Sequence, residues 1–370
     1  MRCGVGDYTA QLAAAIGRRA DAEVAVLTSA TSGPASSGDY RIFDVVRSWD
    51  LSETRAALKA VADWNPDIVH VQLPTRGYGG GRLPSLLPLL LRLLGRRVVE
   101  TWHEYITPDN RRDLPNAVAL QGLIVVRPGF REKLPPRFRR LIGNKPIQFI
   151  PNATSIPRQI LSEADRVALR ARYGREDRRM IAFFGFAFDH KRVELLFEIA
   201  DPAHDHLVLI CELDPADPYH RRLREQAARA PWSGRVTVTG FLPAVEVGRI
   251  IAAADAVVLP FETGGGFWNT SLQAALVQGT FVLTTSREEL GYDPARNIHY
   301  SDPGDLAGMS MALKTYAGRQ LPEAQAVHAA TWDEIAQAHL DFYGRFLAAG
   351  RARADDTRRR TPGESALSCI

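Results

Sequence analysis

Cysteine is scarce in this chain. Its 370 residues hold Cys3, Cys211 and Cys369, too far apart for a CxxC metal site or a disulfide framework. Lysine is nearly absent too: of 46 basic residues only Lys59, Lys133, Lys145, Lys191 and Lys314 are lysines, so a single arginine is weak as a functional sign and a lysine is a stronger one. No long apolar run occurs. Leu83 to Leu94 is interrupted by Pro88 and Arg92 and falls short of the ~20 residues a spanning helix needs. No GxSxG elbow, Walker A lysine or HExxH is found, and no Asp-x-Asp ends a strand-like run. With net charge of only +4, a nucleic-acid partner is not expected. Few cysteines and no signal peptide before the first helical pattern point to a cytoplasmic protein.

What is present is alternation. A hydrophobic content of 45% with 24% charged residues suits a globular protein of two domains. Strand-like runs (AEVAVLTS, DIVHVQ, RRVVETW, GLIVVR, IQFIPN) alternate with helical ones (YTAQLAAAIGRR, SETRAALKAVADW, LPSLLPLLLRLLG), which predicts parallel sheets covered by helices. The polar, proline-bearing stretch from Ile150 to Arg179 reads as an interdomain connection, after which RMIAFFGF opens a second series. The expected division is residues 1–155 and 156–330, a terminal amphipathic helix over 331–350, and a disordered tail over 351–370.

The richest segment is Gly240 to Thr285. It reads as helix, buried strand (AVVLP), glycine-rich loop (ETGGGFWNT), helix (SLQAALVQ) and strand (FVLTT). A loop placed after a parallel strand and before a helix aims the helix's first N–H groups at an anion, and glycines let the backbone approach it. Asn269, Thr270 and Ser271 stand at that helix start, where the same residue types also serve as plain N-caps. Gly185 follows another strand, and Lys191 comes six residues later. His103, Glu104 and Tyr105 follow Trp102 at a strand tip. His70, Gln72, Arg76 and Tyr78 are weaker candidates, and His204-Asp205-His206 reads as a solvated loop rather than a metal site.

These patterns, from Gly4 to about Leu347, resemble the GT4 (group 1, retaining) family of bacterial GT-B glycosyltransferases. The resemblance implies an α/β fold of two doubly wound, Rossmann-like domains facing a cleft. It also implies transfer of a sugar from a nucleotide-diphosphate sugar with retention, without metal or other cofactor. On it, Gly185, Lys191, Arg192, Glu262, Gly266, Asn269, Thr270 and Ser271 bind the donor, His103 is catalytic, and Gly4, Gly6, Glu104 and Tyr105 line the phosphate and acceptor side.

Three departures stand out. Phe186 replaces the arginine of the family's Gly-Arg pair, and Gly266 and Ala274 replace its two glutamates, with Glu262 the one carboxylate left in the loop. At the beginning, the Gly-rich segment Gly4–Gly6 lacks the strand that precedes it in the family, so an upstream start is expected. Two other readings follow: a degenerate GT-B protein that binds nucleotide sugar or a partner transferase without catalysis, and a nucleotide-sugar epimerase. Polysaccharide or glycoconjugate synthesis is the expected setting. The acceptor would be a saccharide, a lipid-linked or a small molecule, and the Leu-rich helix flanked by Arg82, Arg92, Arg96 and Arg97 reads either as a core helix with a basic end, the commoner case, or as a contact with the inner membrane face.

Overall fold

The computed structural model describes residues 4–19, 22–30, 38–74, 76–322 and 329–360, with side chains as far as 348 apart from that of Arg76. The chain divides into two compact units, Met1–Pro151 with Trp332–Ile370, and Asn152–Thr331.

The first unit runs α1 (Gly4–Gly17), β1 (Ala25–Ser29), β2 (Arg41–Val46), α2 (Thr54–Trp64), β3 (Val69–Leu73), α3 (Leu83–Leu93), β4 (Val98–Trp102), α4 (Leu114–Ala119), β5 (Gly122–Val125), α5 (Phe130–Lys133), α6 (Pro136–Ile142) and β6 (Ile147–Phe149). Its strands are all parallel but form two sheets, β1–β2 and β3–β4–β5–β6, and among the described residues no ladder joins β1 to β3. β4 and β5 are buried throughout, as strands covered on both faces must be. Strand β2 escapes the sequence pattern because it is a half-exposed edge, with only Val46 fully buried among Arg41, Asp44 and its neighbours. In α3 the residues Leu83, Leu87 and Leu91 face the core, while Leu93 and Leu94 at its end are exposed.

One expectation is corrected here. Gly4 and Gly6 do not lie in a loop: they belong to the first turn of α1. Tyr8, Leu12, Ala15 and Ile16 make a buried helical stripe. Burying that stripe outweighs the ~1 kcal/mol that each glycine costs in a helix.

The second unit runs α7 (Glu163–Tyr173), β7 (Arg179–Phe184), α8 (Leu196–Ile199), β8 (Asp205–Ile210), α9 (Pro218–Ala228), β9 (Val236–Val238), α10 (Ala244–Ala253), β10 (Ala256–Leu259), α11 (Thr270–Gln278), β11 (Val282–Thr285), β12 (Gly291–Asp293), β13 (Ile298–Ser301) and α12 (Leu306–Tyr316). Its single sheet has the order β12-β13-β11-β10-β7-β8-β9, parallel except for β12 against β13. The stretch read as a connection is largely part of this unit. Ser162 caps α7 by accepting from Asp165 N–H, Leu169 and Tyr173 enter the core, and Arg170 reaches Asp255 at 2.7 Å. Asp205 and His206 are likewise no loop. They begin β8, buried, with Asp205 on Arg179 at 2.7 Å and His206 Nε2 on Thr237 Oγ1 at 2.8 Å. Among the described residues no group of three His, Cys, Asp or Glu could hold a metal ion.

The final helix, α13 (Trp332–Arg360), belongs to the first unit: Tyr8 Oη donates to its His339, and its Phe342 ring lies over Gly122. It continues ten residues into the tail expected to be disordered, because Ala- and Arg-rich sequence free of glycine and proline follows Gly350 until Pro362. Residues 361–370 of that tail lie outside the described residues. Among the described residues no helix is long and apolar enough to cross a membrane.

Candidate functional site

Strand order in the second unit reverses at β7: β8 and β9 extend the sheet on one side, β10, β11 and β13 on the other. β7 and β10 are parallel neighbours, so the loops at their carboxyl ends diverge and leave the crevice in which open α/β sheets bind ligands. Gly185, Lys191 and Arg192 follow β7. Glu262, Gly266, Asn269, Thr270 and Ser271 follow β10.

Two contacts hold these loops together. Glu262 N–H donates to the His190 carbonyl at 3.1 Å. Gly185 has φ of +134°, a conformation side chains rarely adopt, and a Cβ there would lie 3.7 Å from Ser271 Cβ. The backbone after β7 therefore runs beside the first turn of α11.

That first turn is open. Asn269 occupies the N-cap position in an extended conformation, but its side chain does not cap the helix. Its Oδ1 accepts from Gly266 N–H at 2.9 Å, and Asn269 N–H returns a bond to the Gly266 carbonyl at 2.8 Å. Asn269 thus closes the loop and does not cap the leading N–H groups of α11, the positive end of the helix dipole, where negative charge is favoured.

Lys191 sits with Nζ 4.1 Å from the centre of the Phe261 ring, so its charge reaches the loop after β10. Arg192 does not join it in the same way. Its φ of 52° is left-handed, and its Nε donates to Glu194 Oε1 at 2.7 Å, while Glu194 Oε2 accepts from the Tyr219 hydroxyl at 2.6 Å. Phe186 and Phe188 stack with centres 5.6 Å apart. Glu262 is exposed. Gly266 is covered by the indole of Trp268, and Ala274 is fully buried in the core, so neither position carries an acceptor.

Two supporting residues were not legible beforehand. Asn152 Nδ2 donates to the Trp268 carbonyl at 2.8 Å, and Gln273 Nε2 donates to the carbonyls of Asn152, at 2.9 Å, and Phe267. Asn152 is more than a hundred residues from the loop it braces, and no local pattern marks such a pairing.

The first unit holds the other candidates. His103 is buried, and its Nε2–H donates to Gln72 Oε1 at 2.8 Å, with the Tyr8 ring edge-on at 4.7 Å. Burial, then the neighbouring His339 and Arg127, lower its pKa to about 3. It is a neutral imidazole whose Nδ1 lone pair is its remaining polar function. Gln72 also stands 3.5 Å from His70 Nε2, which accepts from Thr101 Oγ1 at 2.7 Å, and His70 Nδ1 meets the Tyr343 hydroxyl at 2.5 Å. Glu104 is paired with Arg127. The hydroxyl of Tyr105 donates to the Pro128 carbonyl at 2.7 Å, and its ring stacks on Phe130 under Arg127 and Lys133. Tyr78 Oη donates to the Gln72 carbonyl at 3.0 Å. Gly4 and Gly6 lie in α1 and belong to no loop beside these residues.

No protein-family model matches the chain, and no curated protein matches it by sequence. Solved structures do match over its length. Sucrose-phosphate synthase from Thermosynechococcus elongatus superposes with a TM-score of 0.74 at 18% identity, covering 94% of each chain. HepE of Anabaena, determined with UDP and glucose, gives 0.62 at 15% identity over 96% of each. WaaG, a glycosyltransferase of lipopolysaccharide biosynthesis, gives 0.57 at 15% identity over 91% of this chain and 92% of its own. The chain has the GT-B fold that these glycosyltransferases share.

Proposed function

We propose that this chain is a glycosyltransferase that takes a sugar from a nucleotide-diphosphate donor, by a retaining, metal-independent mechanism of the GT4 type. The single observation that carries this reading is the uncapped start of α11 at the sheet's switch point, with Gly185 packed beside it and Lys191 close by. A leaving diphosphate needs charge neutralisation where its charge grows, and fixed N–H dipoles with one lysine supply it without a metal. HepE, of the same fold, has been determined with UDP-glucose, which supports a nucleotide sugar as the donor class. His103, a neutral imidazole held through Nε2 by Gln72, is the proposed catalytic residue, with Nδ1 able to accept a hydrogen bond from a sugar hydroxyl.

The test is calorimetry of the whole chain with UDP, ADP, GDP and dTDP, followed by assays of hydrolysis and transfer from the matching nucleotide sugars. Binding of one nucleoside diphosphate together with turnover supports the proposal; absence of both removes it.

One observation favours a second reading. Ala274 lies in the core and Gly266 under an indole, so the positions where the resemblance expects carboxylates cannot touch a sugar. A protein that binds donor without turnover in every acceptor screen would be the degenerate form. For the acceptor, exposed Leu93 and Leu94 beside Arg92 favour a lipid-linked molecule at an anionic membrane face, which vesicle co-sedimentation with and without phosphatidylglycerol would test.

A further inference from the structure

Two polar pairs meet on neighbouring strands of the first unit. His70 and Gln72 stand two residues apart on β3, and Thr101 and His103 two apart at the end of β4, so the pleat puts each pair on one face of the sheet. The register sets Gln72 opposite Thr101. Gln72 Oε1 accepts from His103 Nε2–H at 2.8 Å, and the Nε2 end of the same amide lies 3.5 Å from His70 Nε2. His70 Nε2 accepts from Thr101 Oγ1 at 2.7 Å, and His70 Nδ1 lies 2.5 Å from the Tyr343 hydroxyl of α13.

Burial keeps both rings neutral, lowering His103 to about 3 and His70 well below 6.5, so each has one N–H and one lone pair. The amide between them has one accepting end and one donating end. The ring that meets its oxygen must present N–H, and the ring that meets its NH₂ must present a lone pair. One glutamine therefore ties two tautomers together, with the proton of His103 on Nε2 and that of His70 on Nδ1. An amide turned over would reverse both rings at once. The Tyr343 hydroxyl closes the far end by accepting from His70 Nδ1–H. The same helix also steadies the plane of His103. His339 Nδ1–H donates to the Ile335 carbonyl at 2.7 Å, which leaves Nε2 to accept from Tyr8 at 3.1 Å, and the Tyr8 ring packs edge-on against His103 at 4.7 Å.

We propose that Gln72 is a positioning residue that holds His103 with Nε2 protonated and Nδ1 bare, and that Tyr343 of α13 sets this tautomer through His70. This rests on the reading of His103 as catalytic given above. A histidine in the other tautomer offers a donor where a lone pair is needed, however well the donor substrate is bound.

The experiment uses the full chain with isotope-labelled histidine and NMR, in which ring-nitrogen shifts separate protonated from bare nitrogen; His103→Gln and His70→Gln assign the two rings. In the wild type His103 should be protonated at Nε2 and His70 at Nδ1. Gln72→Glu has two accepting oxygens, so His103 should stay as it is while His70 becomes protonated at Nε2. Gln72→Leu should release His103 to a mixture of tautomers and leave His70 unchanged. Tyr343→Phe keeps the ring and removes the hydroxyl. It should move part of the His103 population to Nδ1–H, and should have no such effect in the Gln72→Leu background. In transfer assays Gln72→Leu should lower kcat about tenfold or more while KM for the donor stays within about twofold. Nδ1-protonated His103 in the wild type, or rings that do not change in any of the three variants, overturns the proposal. Parallel losses of kcat and of affinity for the bare diphosphate, the mark of a structural role, overturn it too. If the wild type turns over no donor, the donor reading falls, while the spectra of the free protein still judge the tautomer chain.

Discussion

The ammonium of Lys191 lies 4.1 Å from the centre of the Phe261 ring, a contact worth only about 0.5–1 kcal/mol when exposed. A charge-assisted contact to phosphate is worth about 1.5–3 kcal/mol, or one to two decades in affinity. The phosphate contact is thus stronger than the ring contact, so Lys191→Ala should weaken nucleoside-diphosphate binding by ten- to hundredfold. Unchanged affinity in calorimetry would remove Lys191 from the site. His103 gives a different kind of forecast. Its pKa of about 3, set first by burial, means that it does not titrate near neutrality. His103→Ala should cut turnover far more than diphosphate affinity, His103→Gln should restore part of it, and the wild-type kcat profile should show no step near pH 6.5 from this residue. Parallel losses of turnover and affinity, accompanied by a lower melting temperature, would mark it as structural.

At the scale of elements, the strands and helices of the second unit were legible because β7, β8, β10 and β11 are short, apolar and buried, and the helices between them carry period-3.6 stripes. The glycine loop and its helix were legible for the same reason. What escaped was set by tertiary burial. Gly4 and Gly6 have loop-like composition but lie in a helix that buries Tyr8 and Leu12, and α7 is so polar that only Leu169 and Tyr173 betray its core face. Whether Asn269 caps the helix or closes the loop is a matter of one hydrogen bond, which composition cannot decide. The end of α11 gives a firm test. Gly279 closes it at φ of +76°, and a Cβ there would meet the Leu321 carbonyl oxygen at 2.8 Å. Gly279→Ala combines a left-handed side chain with a backbone clash and should cost about 1–3 kcal/mol in urea unfolding. A loss below about 0.5 kcal/mol would show that the segment at Leu321 yields freely.

On the scale of the molecule, the first unit is assembled from distant parts of the chain, and titratable groups lie at the seam. Tyr8 meets His339, His70 meets Tyr343, and His103 packs against Tyr8, all in the interior. Burial is the leading cause that lowers each histidine: His339 to about 4, His103 to about 3, and His70 well below 6.5. The unfolded chain takes up these three protons more readily than the folded one, so their contribution is complete above pH 6.5 and is lost as pH falls toward their folded values. Glu100 acts in the opposite sense. Burial, offset in part by the bond from Trp102 Nε1, raises its pKa from 4.5 to about 8, so its contribution is complete below pH 4.5 and is lost as pH rises through 8. Between pH 4.5 and 6.5 three histidines outweigh one carboxyl, and stability should climb with pH; between 6.5 and 8 Glu100 acts alone among these four, and stability should decline. Glu100→Gln cannot ionise, and should flatten the upper limb while leaving the lower limb in place. Urea midpoints measured from pH 4.5 to 8 on both proteins decide the matter: a wild-type midpoint still rising above pH 6.5, or a decline that persists in Glu100→Gln, would show that the buried carboxyl does not govern the alkaline side.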